Sequence, residues 1–109
     1  MAITYKVLGQ LNPAATTAST LYTVPATTSA IISTVTICNQ AATATSFRIA
    51  VRPAGATLAA LHYINYDTPL PANDTITATL GITLATTDII TVYAGTATVS
   101  FSAFGSEIA

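Results

Sequence analysis

The chain has 109 residues, enough for one domain around one core. Half of them are apolar, but only 6% are charged, against about a quarter in an ordinary soluble domain. Three cations exclude a basic surface for nucleic acid and a polybasic membrane contact, and a single cysteine excludes an intrachain disulfide.

No segment has a helical period. Short runs of β-branched and aromatic residues, cut by Pro, Gly, Asn and Asp, predict strands. The first covers Ile3 to Leu8 and ends at Gly9. Residues 10–19 hold Asn12-Pro13 among small side chains and read as an arm or long loop. The second strand, Thr20 to Val24, stops at Pro25, which would interrupt a central ladder. The third, Ala30 to Cys38, puts Ile31, Val35 and Ile37 on one face, with Cys38 read as a small buried residue.

The fourth strand, Ser46 to Arg52, alternates cleanly. Phe47, Ile49 and Val51 point to a core, while Arg48, Ala50 and Arg52 point to water or a partner. The fifth, Leu61 to Asp67, sets Tyr63 against His62, Ile64 and Tyr66. Pro69, Pro71 and Asn73 fill a loop. In the sixth, Ile76, Ala78 and Leu80 face inward and Thr75, Thr77 and Thr79 outward. A Thr-Thr turn and Asp88 introduce the seventh, Ile89 to Ala94. The eighth, Ala97 to Phe104, carries Val99 and Phe101 inward and ends at Gly105. Eight short strands predict a single all-β domain over residues 1–109. The expected form is an antiparallel two-sheet β-sandwich, jelly-roll or Ig-like, with a closed barrel as the alternative.

Chemistry is scarce. His62 and Asp67, the nearest candidate metal pair, are an odd number of residues apart and so fall on opposite strand faces. Cys38 and His62 form the one conceivable nucleophile pair, without an elbow motif around Cys38. Asp67, Asp74 and Asp88 stand at strand ends or turns, where Asp serves local hydrogen bonding. No phosphate loop is present, and Asn73-Asp74-Thr75 is a chance glycosylation match. No catalytic residue, metal or cofactor is expected.

The remaining candidates are contact residues. Arg48 and Arg52 share a strand face about 13 Å apart. They pair either with Asp67 or Asp74 of the same domain or with carboxylates of a neighbour. The row Thr75, Thr77, Thr79 is an outward strand face. Tyr63 and Tyr66, with Asn65 and Asp67, are residue types that build sugar platforms and protein interfaces alike. Thr and Ala each supply about a fifth of the chain, and the net charge is -1. Weak self-repulsion favours association, so two readings stand: an ordinary Thr-rich exterior, or an exterior covered by other subunits. The start of the chain lacks a basic segment followed by an apolar one, which predicts synthesis in the cytoplasm and solubility until assembly.

Several segments carry a resemblance. Tyr5-Lys6-Val7-Leu8-Gly9-Gln10, Leu21-Tyr22-Thr23-Val24-Pro25, the stretch from Phe47 to Gly55, Pro71 to Ile76, and Ala103 to Ile108 resemble small structural proteins of tailed bacteriophages, including those infecting cyanobacteria. The resemblance covers nearly the whole chain and contains no catalytic signature. It implies a β-sandwich present in many copies on a virion, as a capsid decoration (cement) protein bound to the major capsid protein or as a tail, neck, baseplate or fibre-attachment component. A dimer or trimer is the expected state. A carbohydrate-binding module is the alternative from another functional class.

Overall fold

A computed structural model describing residues 2–109 resolves these runs into nine strands. They are β1 (Ile3–Leu11), β2 (Ser19–Thr23), β3 (Ser29–Asn39), β4 (Thr45–Arg52), β5 (Tyr63–Leu70), β6 (Thr75–Ala78), β7 (Ile82–Leu84), β8 (Ile89–Ala94) and β9 (Val99–Ile108). Single 3-10 turns occupy Pro53–Gly55 and Ala60–His62.

Two antiparallel sheets result. One has the order β1-β9-β3-β6, with β7 also on β3; the other has the order β2-β8-β4-β5. Strand β9 lines one side of β3 from Ser29 to Asn39. The other side of β3 is shared, with β6 against Val35–Cys38 and β7 against Ala30–Ile32. β6 and β7 are therefore two halves of one strand position. With them merged, the first strand pairs with the last, the second with the second-last, the third with β6–β7, and the fourth with the fifth. That nesting is the jelly-roll form of the expected sandwich.

The inner faces meet over an aliphatic core with an aromatic centre. Val35, Ile37, Val99 and Phe101 come from one sheet, and Phe47, Ile49, Ile90 and Val92 from the other, all essentially out of water. The Phe47 and Phe101 rings meet edge to face at 6.3 Å between centroids.

Strict alternation fails at bulges. A register shift between Ile32 and Thr34 turns Ile32 and Ala30 inward and Ile31 outward, so Ile31 does not share the buried face of Val35 and Ile37. Because Ile37 points inward, Cys38 points out and is half-buried rather than a core residue. Leu80 is 48% exposed instead of buried: β6 stops at Ala78, and Gly81 takes a left-handed φ of 62° before β7. The fifth strand starts two residues later than expected, after a 3-10 turn, and runs through Pro69 to Leu70. Proline is tolerated there because β5 is an edge strand. Strand β9 continues through Gly105 to Ile108.

The stretch expected as an arm or long loop is shorter and tied down. Gln10 and Leu11 belong to β1 and Ser19 to β2. Between them, Asn12 donates from Nδ2 to the carbonyls of Ala97 and Val99, and the Thr16 N–H donates to Ala94 O at 2.8 Å. Residues 12–18 thus close one end of their own sandwich.

Four turns share one local design. Thr16, Thr27, Asn73 and Thr87 all sit at left-handed φ, between 51° and 67°. Each Thr hydroxyl donates to the carbonyl of the preceding residue, at 2.5–2.7 Å. Asn tolerates this conformation, whereas a β-branched side chain is crowded in it. Thr27→Asn should therefore stabilise the protein, by roughly 0.5–1 kcal/mol. A thermal melt by circular dichroism would read this as a rise of a few degrees, and a fall would show that the Thr27 hydroxyl bond outweighs the strain.

Candidate functional site

The outer face of the four-stranded sheet is built on the alternation of β4. Arg48 projects opposite Tyr93 of β8, and the β4–β5 register shifts where Asp67 takes φ 50°. A second register shift, between Ile49 and Ala50, falls between Tyr63 and Asn65 and puts Tyr66 on the side of Tyr63, so the two rings meet edge to face at 4.9 Å instead of pointing apart. The Arg48 guanidinium lies between the Tyr66 and Tyr93 rings, 4.1 Å from each centroid. Its Nε and a terminal nitrogen donate to the two Asp67 carboxylate oxygens, at 2.6 and 3.2 Å. The hydrogen bond from Arg48 holds the Asp67 carboxyl below the usual carboxylate range.

Arg52 is also used within the domain. Its guanidinium donates to the carbonyls of Ala56 and Gly55 and to the Thr91 hydroxyl, fastening the loop after β4 onto the sheet. Asp88 fastens the same loop by accepting the Ala54 N–H, and closes its own turn by accepting the Ala85 N–H, at 2.8 Å each. The expected intradomain pairing with a carboxylate thus describes Arg48, which holds Asp67, but not Arg52, whose partners are two backbone carbonyls and a hydroxyl. Beside this cluster, Leu58, Ala59, Ala60, Tyr63 and Tyr66 line a shallow, mainly apolar groove.

Chemistry-bearing groups are not brought together. Cys38 lies on the outer face of the five-stranded sheet. His62 is in the turn packed on β4 of the other sheet, where its Nδ1 accepts the Ala59 N–H. The core separates them. Asp74 accepts the Thr75 N–H as a turn residue. Among the described residues, no three His, Cys, Asp or Glu side chains cluster as metal ligands. Thr75 and Thr77 face out beside Cys38 and Thr36, but Thr79 lies past the end of β6, so the row is only two residues long.

The five-stranded sheet has the more unusual outer face, of which sequence reasoning singled out only the corner at Thr75 and Thr77. Cross-strand rows run Ile3–Ile108–Ser29, Tyr5–Ser106–Ile31–Thr83 and Val7–Phe104. Further along are Gln10, Ser102 and Thr36, then Ser100, Cys38 and Thr75. No charged side chain stands in these rows. One end is apolar and exposed, with Tyr5 82% accessible and Ile3, Val7 and Ile31 well exposed. The sequence shows the run Ile3-Thr4-Tyr5-Lys6-Val7 only as an alternating strand; that its apolar side is left uncovered follows from its pairing with β9.

Charge is drawn instead to the inner rim beneath this end. Glu107 is 14% exposed at its side chain; it accepts the Tyr22 hydroxyl at 2.5 Å and pairs with Lys6 Nζ at 3.0 Å. Those two donors hold its carboxyl below the usual range, the Tyr22 bond contributing most. Burial, and then Glu107 itself, pushes the Tyr22 phenol above its ordinary value. A depressed carboxyl adds stability above its unfolded pKa of about 4.3 and loses it as pH falls through the lower folded value. Urea unfolding should therefore weaken progressively below about pH 4 in the natural chain. Glu107→Gln should flatten that part of the profile; an unchanged profile would mean that other carboxylates carry the acid sensitivity.

Compared with known protein families, curated proteins and solved structures, the chain matches none.

Proposed function

We propose that this chain is a non-enzymatic structural subunit of a virus particle, acting as a decoration or cement protein on an assembled capsid. The observation that carries the reading is the outer face of the five-stranded sheet. Its rows hold no charged side chain, and one end is exposed and apolar. A surface of that kind is stable in contact with another protein, since contiguous exposed apolar area marks interaction sites. The jelly-roll wrapping is common among capsid proteins, which supports the reading by analogy of fold only. The resemblance of the Tyr5–Gln10, Phe47–Gly55 and Ala103–Ile108 segments to phage structural proteins points the same way. The action would be mass action: a protein that binds only the assembled shell lowers the free energy of that shell.

An antibody against the chain, applied to negatively stained particles, tests this. Gold on heads supports decoration. Gold on tails moves the chain to a tail, neck or baseplate role, and particles without label overturn the virion reading. The Tyr63–Tyr66 groove favours a second reading, a sugar-binding module. It is weaker, because the polar groups beside the groove are already engaged: Asp67 holds Arg48, and Asn65 bonds the Thr68 hydroxyl. A glycan array on which the protein retains a defined sugar, lost in Tyr66→Ala, would reverse the preference.

A further inference from the structure

We propose that two copies of this chain join their five-stranded sheets by antiparallel pairing of β1 with β1, about a two-fold axis between Tyr5 and Tyr5 of the second copy. The argument begins with the sheet edges, which lie at β6–β7, β2, β5 and β1. An open edge offers unpaired backbone groups, and proteins normally blunt it. The β6–β7 edge is broken at Gly81. β2 is five residues long, shifts register between Thr20 and Tyr22, and is followed by Pro25. β5 carries Pro69 and the left-handed Asp67. β1 has none of these devices from Ile3 to Val7, where register is unbroken and every residue is exposed.

The backbone phase of β1 is known. Ala2 and Ala109 exchange both hydrogen bonds, so the even residues of β1 turn their N–H and C=O toward β9. Ile3, Tyr5 and Val7 therefore aim theirs at the open edge. Centred on Tyr5, a second β1 matches this phase. Tyr5 exchanges both bonds with Tyr5 of the second copy, and Ile3 does so with Val7 of the second copy. The exposed apolar side chains then continue across the axis as one strip. Charge agrees as well: Lys6 meets Thr4 of the second copy rather than its own counterpart, and its charge is already matched by Glu107. A partner with a charged edge would gain nothing on this uncharged strip, whereas a second copy satisfies it by symmetry.

The pairing does not depend on the virion reading: a monomer that labels heads would defeat the pairing alone. Sedimentation mass over a range of concentrations is the test. The natural chain should have the mass of two chains, and Tyr5→Pro that of one. Proline at an outward N–H of an edge strand spares the β9 ladder, so the melting temperature of Tyr5→Pro should stay within a few degrees of the Cys38→Ser and natural chains after allowing for loss of the dimer. In a Cys38→Ser background, an oxidised mixture of Thr4→Cys and Lys6→Cys should cross-link, while neither variant alone should. Directly opposed residues of this pair type are about 4.5 Å apart between Cα atoms, within disulfide reach. A natural chain of single mass at every concentration, a dimer that survives in folded Tyr5→Pro, or cross-linking of one variant with itself would each overturn the proposal. Should Tyr5→Pro fail to fold, the cross-linking pattern decides.

Discussion

Gly105→Ala is expected to destabilise the protein by about 3 kcal/mol, lowering its melting temperature by roughly 15 °C. Propensity alone predicts the opposite sign, since glycine inside a strand is about 0.5–1 kcal/mol worse than alanine. The tertiary contact decides. A Cβ on Gly105 would land on the Ile31 carbonyl oxygen, far inside van der Waals contact, and 3.0 Å from Ile32 Cα. Those atoms belong to the backbone of β3 at its bulge, so no side chain can swing away. Relief would require separating β3 from β9, the strands at the centre of the five-stranded sheet. A thermal melt followed by circular dichroism measures the effect. A loss under about 1 kcal/mol would mean that the bulge yields without cost.

Asn39→Ala should cost a similar amount, about 3 kcal/mol in urea unfolding. Asn39 is 1% exposed and uses its whole amide. Nδ2 donates to Thr43 O at 2.9 Å and Pro71 O at 3.2 Å; Oδ1 accepts the Ala41 N–H and the Thr98 hydroxyl, both at 3.1 Å. One side chain thereby ties three loops at the end of the sandwich opposite the Thr27 and Thr87 turns. Truncation leaves buried carbonyls without donors, which is the expensive case. Asn39→Asp separates the two halves of the amide: it keeps an acceptor but sets an anion against two carbonyl oxygens. It should therefore be weakest at neutral pH and recover in acid as the new carboxyl protonates. Equal stability of Asn39→Asp across that range would show that solvent reaches the site.

Part of the Arg48 cluster was legible in residue types. Arg48, Tyr63, Tyr66 and Asp67 were picked out as contact residues, and they do stand together on one face. Their arrangement was not legible, because a register shift between Tyr63 and Asn65 reverses the parity that places Tyr63 and Tyr66 apart, and a second shift at Asp67 sets its carboxylate against Arg48. The exposed apolar end of the other sheet was missed for a similar reason. An alternating strand such as Ile3–Val7 reads as half-buried, and only the pairing of β1 with β9 shows that its apolar side faces away from the core.

By itself, the sequence determined the class of fold: alternation in β4 and β9, and punctuation by Pro, Gly and Asn, suffice for a two-sheet β protein because side-chain period and turn chemistry are local properties. It also determined the poverty of charge that makes contact the leading reading. What only the tertiary structure decided was which side of each strand meets the core beyond a bulge, which edge is left open, and where each arginine spends its charge. These depend on register between strands distant in the chain, and a shift of one residue exchanges the buried and exposed faces.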